Sequence, residues 1–99
     1  MSRKVLLVED EMSLAMLVKD NLESEGYRVF HARNGDEGLK AFYRHEPELV
    51  ILDVMMPRFD GYSVAKTIRE TDRSTPILFL TAKVQVKDVV KGFESGGND

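Results

Sequence analysis

Two short apolar runs in this chain each end directly on acid. Val5-Leu6-Leu7-Val8 runs into Glu9-Asp10-Glu11, and Leu49-Val50-Ile51-Leu52 runs into Asp53. Short runs of this kind, half Val and Ile, read as strands buried on both faces, as in a parallel sheet. In an open α/β sheet, ligands gather outside the carboxyl ends of the strands. If the two strands are neighbours, Glu9, Asp10 and Asp53 converge on one small pocket. Carboxylates crowded together resist full ionisation unless a cation joins them. Oxygen-only donors suit a hard cation, and Mg²⁺ is usually held by one or two carboxylates with water and phosphate. The pattern points to Mg²⁺-assisted phosphate chemistry.

The rest of the chain alternates apolar runs with helical patterns, which argues for βαβ units. Lys4 to Val8 reads as the first strand. Leu14, Leu17, Val18 and Leu22 recur at helical spacing as a core-facing stripe, with Ser13 as N-cap and Gly26 as the stop. Tyr27 to Ala32 is a second strand. Asn34 followed by Glu37 resembles a capping box opening a helix through His45, with Leu39, Ala41 and Phe42 inward and Pro47 ending it. Leu49 to Leu52 is the third strand, and Pro57-Arg58-Phe59-Asp60-Gly61 a turn-rich loop. Val64, Ala65 and Ile68 mark a third helix, and Ile77 to Leu80 a fourth strand. Val86, Val89, Val90 and Phe93 predict a fourth helix. Right-handed crossovers give a doubly wound parallel sheet of order 2-1-3-4, the flavodoxin-like order without its last strand. That order sets strand 1 beside strand 3 and leaves strand 4 as an apolar edge. Such an edge invites pairing with another chain, so a homo-oligomer or strand-exchanged dimer is predicted.

Ninety-nine residues make one domain at most. A net charge of −3 offers no whole-domain footprint for nucleic acid. The chain has no cysteine, hence no disulfide or thiolate metal site, which suits a cytoplasmic setting. No apolar stretch is long enough to span a membrane, and no signal-peptide pattern precedes the first strand.

Taken together, Val8-Glu9-Asp10-Glu11, Asp53-Val54-Met55-Met56-Pro57-Arg58-Phe59-Asp60-Gly61 and Leu80-Thr81-Ala82-Lys83 resemble the receiver domain of two-component response regulators. The resemblance covers residues 1–99 and is closest to the winged-helix transcriptional regulators. It implies a phosphoacceptor switch rather than an enzyme. Asp53 would take a phosphoryl group from a sensor histidine kinase. Asp10 would bind Mg²⁺ directly, Glu9 directly or through water, and the Met55 carbonyl would be a further ligand. Thr81 would be the switch hydroxyl, and the Ala82 N–H would help hold the phosphoryl group. Pro57 and Gly61 would shape the loop beside the site. The exposed side of the first helix would be a kinase-docking surface. Output, by DNA-binding transcription regulation, would lie beyond this chain. The family's fifth strand, with its essential lysine, and its fifth helix have no counterpart here. Lys83 does not fill that lysine's role, so the chain reads as an incomplete receiver domain.

Each residue also has a plainer reading. Asp53 alone could cap a loop, Glu9-Asp10 could be a solvated turn and Thr81 an ordinary strand-end hydroxyl; the set gains its meaning from convergence. His31 and His45 are too isolated to form a ligand set and read as surface residues at element ends. A pseudo-receiver acting only as an interaction module is the alternative function. A haloacid-dehalogenase-type phosphatase needs its nucleophile on strand 1 with a second Asp two residues on, whereas Asp10 is followed by Glu11-Met12. A flavin domain would want a Ser/Thr/Gly-rich phosphate loop after strand 1, where Glu9-Asp10-Glu11 would repel phosphate.

Overall fold

A computed structural model describes residues 3–80. In chain order the elements are β1 (Lys4–Val8), α1 (Met12–Ser24), β2 (Arg28–Ala32), α2 (Gly35–His45), β3 (Leu49–Asp53), α3 (Gly61–Arg69) and β4 (Ile77–Leu80). The strands form one parallel sheet of order β2-β1-β3-β4, as predicted. The predicted helix over Val86 to Phe93 and everything after Leu80, with the question of an exposed β4 edge, lie outside the described residues.

Alternation along the strands divides the core into two layers. Val5, Leu7, Val29, Leu49 and Ile51 face Ala15, Val18 and Leu22 of α1. Leu6, Val8, Ala32, Val50 and Leu52 face Phe42 of α2 and Val64, Ala65 and Ile68 of α3. Among the described residues, one helix thus covers one face and two cover the other. β1 and β3 are central, so both of their faces are dry. Each fully buried Leu, Ile or Val there contributes roughly 1.5–3 kcal/mol.

Local signals fix most boundaries. Asn34 caps α2, accepting the Glu37 N–H at 2.9 Å, while Glu37 reaches back to the Arg33 N–H. Asp60 caps α3 by accepting the Ser63 N–H at 2.8 Å. Two expectations fail at α1. Its N-cap is Glu11, with no side-chain cap bond, in place of Ser13. Leu17 is 52% exposed, and Ala15 takes its place in the core. The helix starts two residues earlier than a Ser13 cap would allow, and Ala15, Val18 and Leu22 satisfy the inward spacing without Leu17. β2 likewise begins at Arg28 rather than Tyr27.

Candidate functional site

The register sets the acids together. Val5 to Val8 pair with Leu49 to Leu52, so the residues just past the last shared rung, Glu9-Asp10 after β1 and Asp53 at the end of β3, stand side by side. One carboxylate oxygen from each of Glu9, Asp10 and Asp53 lies within 4.8 Å of the others. They line a cavity of about 310 Å³ with Glu11, Leu14, Met55 and Leu80. A larger cavity, about 460 Å³, lies between the C-terminal ends of α2 and α3 and contains none of these acids.

Glu9 is 1% exposed and Asp53 9%, whereas Asp10 is exposed. Glu9 Oε2 accepts the Glu11 N–H at 2.9 Å. Among the described residues its Oε1 is buried without a hydrogen-bond partner. A buried polar atom left unpaired costs about 1–3 kcal/mol, more when charged, so it needs an explanation. Burial pushes the Glu9 carboxyl up to about 8, against the Glu11 N–H bond; the nearby Asp53 charge pushes it the same way. The main chain of Glu9 is held from β2 on both sides. Its N–H donates to the Ala32 carbonyl at 3.0 Å, and its own carbonyl accepts from His31 Nε2 at 2.8 Å.

Asp53 Oδ1 accepts the Met55 N–H at 3.0 Å, which fixes the carboxylate over its own loop. Met55 lines the pocket and is 79% exposed. Gly61 is where α3 presses on β3. A Cβ there would meet the Asp53 carbonyl carbon at 2.9 Å, closer still to its oxygen, so only glycine lets the helix start this near the site. In the same loop Arg58 sits at φ +67°, with the Phe59 N–H bonded to the Pro57 carbonyl at 2.8 Å. That three-residue turn is strained. It drives Phe59 against Gly35, where a Cβ would meet the ring at 2.7 Å.

The fold therefore brings Glu9, Asp10, Asp53 and Met55 to one pocket. Thr81 and Ala82 lie outside the described residues; Leu80, just before them, pairs with Asp53. His31 corrects the reading of it as an isolated surface residue, since its ring reaches the Glu9 peptide. His45 likewise stacks on Phe30 at 3.8 Å between ring centroids. No sequence signal marks His31, because its partner is a backbone carbonyl on the neighbouring strand.

A parallel 2-1-3-4 sheet with an acid cluster at the carboxyl ends of its two central strands defines a receiver-type domain. The chain belongs to the response regulator receiver domain family, whose model matches residues 5–99. It is 44% identical over 99 residues to the alkaline phosphatase synthesis transcriptional regulatory protein PhoP of Bacillus subtilis (strain 168), covering 100% of this chain and 41% of that protein. It is 41% identical over 97 residues to the transcriptional regulatory protein PcoR of Escherichia coli, covering 98% of this chain and 43% of PcoR. The chain thus spans about two-fifths of the length of these relatives. Among solved structures, a putative response regulator from Chloroflexus aurantiacus matches with TM-score 0.80 at 35% identity, over 100% of this chain and 83% of that one. Vibrio cholerae chemotaxis protein CheY4 matches with TM-score 0.80 at 31% identity, over 99% and 83%. Among the described residues, no helix is long and apolar enough to cross a membrane.

Proposed function

We propose that this chain is the phosphoacceptor switch of a two-component system, acting in the cytoplasm. Asp53 takes a phosphoryl group from the phosphohistidine of a sensor kinase, with Mg²⁺ held by Glu9, Asp10, Asp53 and the Met55 carbonyl. The observation that carries this reading is the convergence of three carboxylates, one of which, Glu9, keeps a buried oxygen without a partner among the described residues. Oxygens sharing one Mg²⁺ at about 2.1 Å stand about 3–4 Å apart. The 4.8 Å cluster is within an ångström of that span, and a bridging water at Glu9 would close the gap. When bound, the ion offsets the repulsion between the acids and the phosphoryl oxygens.

The protein's own contribution is positioning and charge. An Asp53 oxygen attacks phosphorus in line with the P–N bond of the donor. The O–P bond forms as the P–N bond breaks, and the electron pair stays on the imidazole nitrogen, which takes up a proton. The product is an acyl phosphate on Asp53, one of the established roles of a carboxylate nucleophile. The Met55 N–H on Oδ1 orients the carboxylate for this step. The Thr81 hydroxyl and the Ala82 N–H then hold the new phosphoryl oxygens and repack the end of β4, and the altered surface is the output.

Met12, Met16 and Leu17 leave 46–52% of their surface exposed on α1, next to the acidic pocket. Adaptable apolar side chains of this kind suit a helical partner, which supports α1 as the surface that meets the kinase. Transcriptional output through a DNA-binding domain outside this chain is supported by the likeness to transcriptional regulatory proteins. The test is intact mass after incubation with a small phosphodonor and Mg²⁺. One phosphoryl adduct, lost in Asp53→Asn, is expected. Absence of any adduct would overturn the switch in favour of the pseudo-receiver.

A further inference from the structure

The acid cluster poses a mechanical problem. Glu9, Asp10 and Asp53 repel one another as they ionise, and the turn that carries the first two is free to swing outward unless something restrains it. β1 pairs with β2 only as far as Val8↔Ala32. The Glu9 carbonyl lies beyond that last rung. The His31 ring reaches it at 2.8 Å, while the Glu9 N–H is held by the Ala32 carbonyl at 3.0 Å. A carbonyl only accepts, so Nε2 carries the proton, and His31 can donate in its Nε2–H tautomer or as imidazolium.

Holding both the N–H and the C=O of one residue fixes the peptide planes on either side of its Cα. The side chain then leaves the backbone in a single direction. The Glu9 carboxylate is pinned further by the Glu11 N–H on Oε2, and Oε1 is left buried. The same carbonyl belongs to the Glu9–Asp10 peptide, so its orientation also sets where Asp10 begins.

We propose that His31 is a positioning residue for the cation pocket: its ring, bonded to the Glu9 carbonyl, holds the Glu9–Asp10 turn in the geometry that binds Mg²⁺. The proposal rests on the Mg²⁺ reading of the site and adds to it a residue on the edge strand, outside the ligand set. Partners that orient ligands directly are worth about 10–100-fold in metal affinity. His31 acts one step further back, through the peptide, so an effect of about tenfold is expected.

The experiment is a Mg²⁺ titration of the full-length protein followed by NMR amide shifts, with urea unfolding of each variant in the absence of Mg²⁺. His31→Ala is expected to bind Mg²⁺ about tenfold more weakly. His31→Gln, whose amide N–H has about the same reach, should stay within about twofold of the parent. Val29→Ala loosens the same strand from the core without touching the Glu9 peptide. It should lower the urea midpoint and leave Mg²⁺ affinity unchanged. Unchanged affinity in His31→Ala would overturn the proposal while leaving the Mg²⁺ site standing. Equal weakening in His31→Gln or in Val29→Ala would overturn it as well, reducing His31 to a stability residue. Failure of the parent to bind Mg²⁺ would overturn the reading of the site and the proposal together.

Discussion

Two acids at opposite ends of the sheet, Asp72 and Glu9, show what separates a structural carboxylate from a functional one. Asp72 precedes β4 and organises its loop. Its Oδ1 accepts the N–H groups of Ser74 and Thr75 at 2.8 and 2.9 Å, and its Oδ2 accepts the Thr75 hydroxyl at 2.6 Å. These bonds, the Thr75 hydroxyl foremost, hold its carboxyl down to about 2. Glu9 follows β1, is buried beside two other acids and has one oxygen with no partner. Its carboxyl is pushed up to about 8 by burial. Donors complete the first carboxylate, and its charge stabilises the fold. The second is left incomplete, and its charge costs stability. The comparison gives a rule for this fold: the acid with unmet demand marks the site.

The comparison breaks most sharply on phosphoryl uptake. Asp53→Asn should abolish the adduct, while Asp72→Asn should leave its yield unchanged, both by intact mass. Gly61→Val tests how tightly the active end is packed. A side chain driven into the Asp53 backbone should cost about 3 kcal/mol in urea unfolding, the upper end for overpacking, and should lower adduct yield. Removal of charge should act with opposite signs at the two ends. Glu9→Gln should raise the urea midpoint of the metal-free protein at pH 8 and weaken Mg²⁺ binding at least tenfold. Asp72→Asn should lower the unfolding free energy by about 1–2 kcal/mol without touching Mg²⁺ affinity.

pH should separate the same two acids. The folded-state value of Glu9 is raised from 4.5 to about 8, so the metal-free fold is favoured below pH 4.5 and loses that advantage as pH climbs to about 8. Mg²⁺ competes with the Glu9 proton, so the midpoint gain on adding Mg²⁺ should grow across this window. Asp72 runs the other way. Its value falls from 3.8 to about 2, so its contribution is present above pH 3.8 and disappears as pH drops towards 2. A flat Mg²⁺ gain between pH 5 and 8 would contradict this account of Glu9. The smallest effect belongs to the strained turn. Arg58→Gly should raise the unfolding free energy by about 1 kcal/mol, because glycine carries no steric penalty at φ +67°.

The sequence by itself determined the strands, their order and the acids at their ends. Continuous apolar runs are readable because a central parallel strand is buried on both faces, and Val, Leu and Ile at every position leave no other reading. The Asn34 cap was equally local, since a cap bond spans only three residues; the Asp60 cap, read in the sequence only as part of a turn-rich loop, emerged with the structure. Tertiary structure decided the rest. Leu17 has the composition of a core residue, but only the packed helix shows which of two adjacent apolar positions faces the sheet. Asp53 and Glu9 are 44 positions apart, and only the β1–β3 register brings their oxygens within reach of one another. The His31 contact to a backbone carbonyl carries no sequence pattern, because every residue has a carbonyl and only the fold chooses which one a ring meets. The burial that raises Glu9 is likewise a property of the assembled pocket, since desolvation depends on what surrounds a carboxyl and not on its neighbours in the chain.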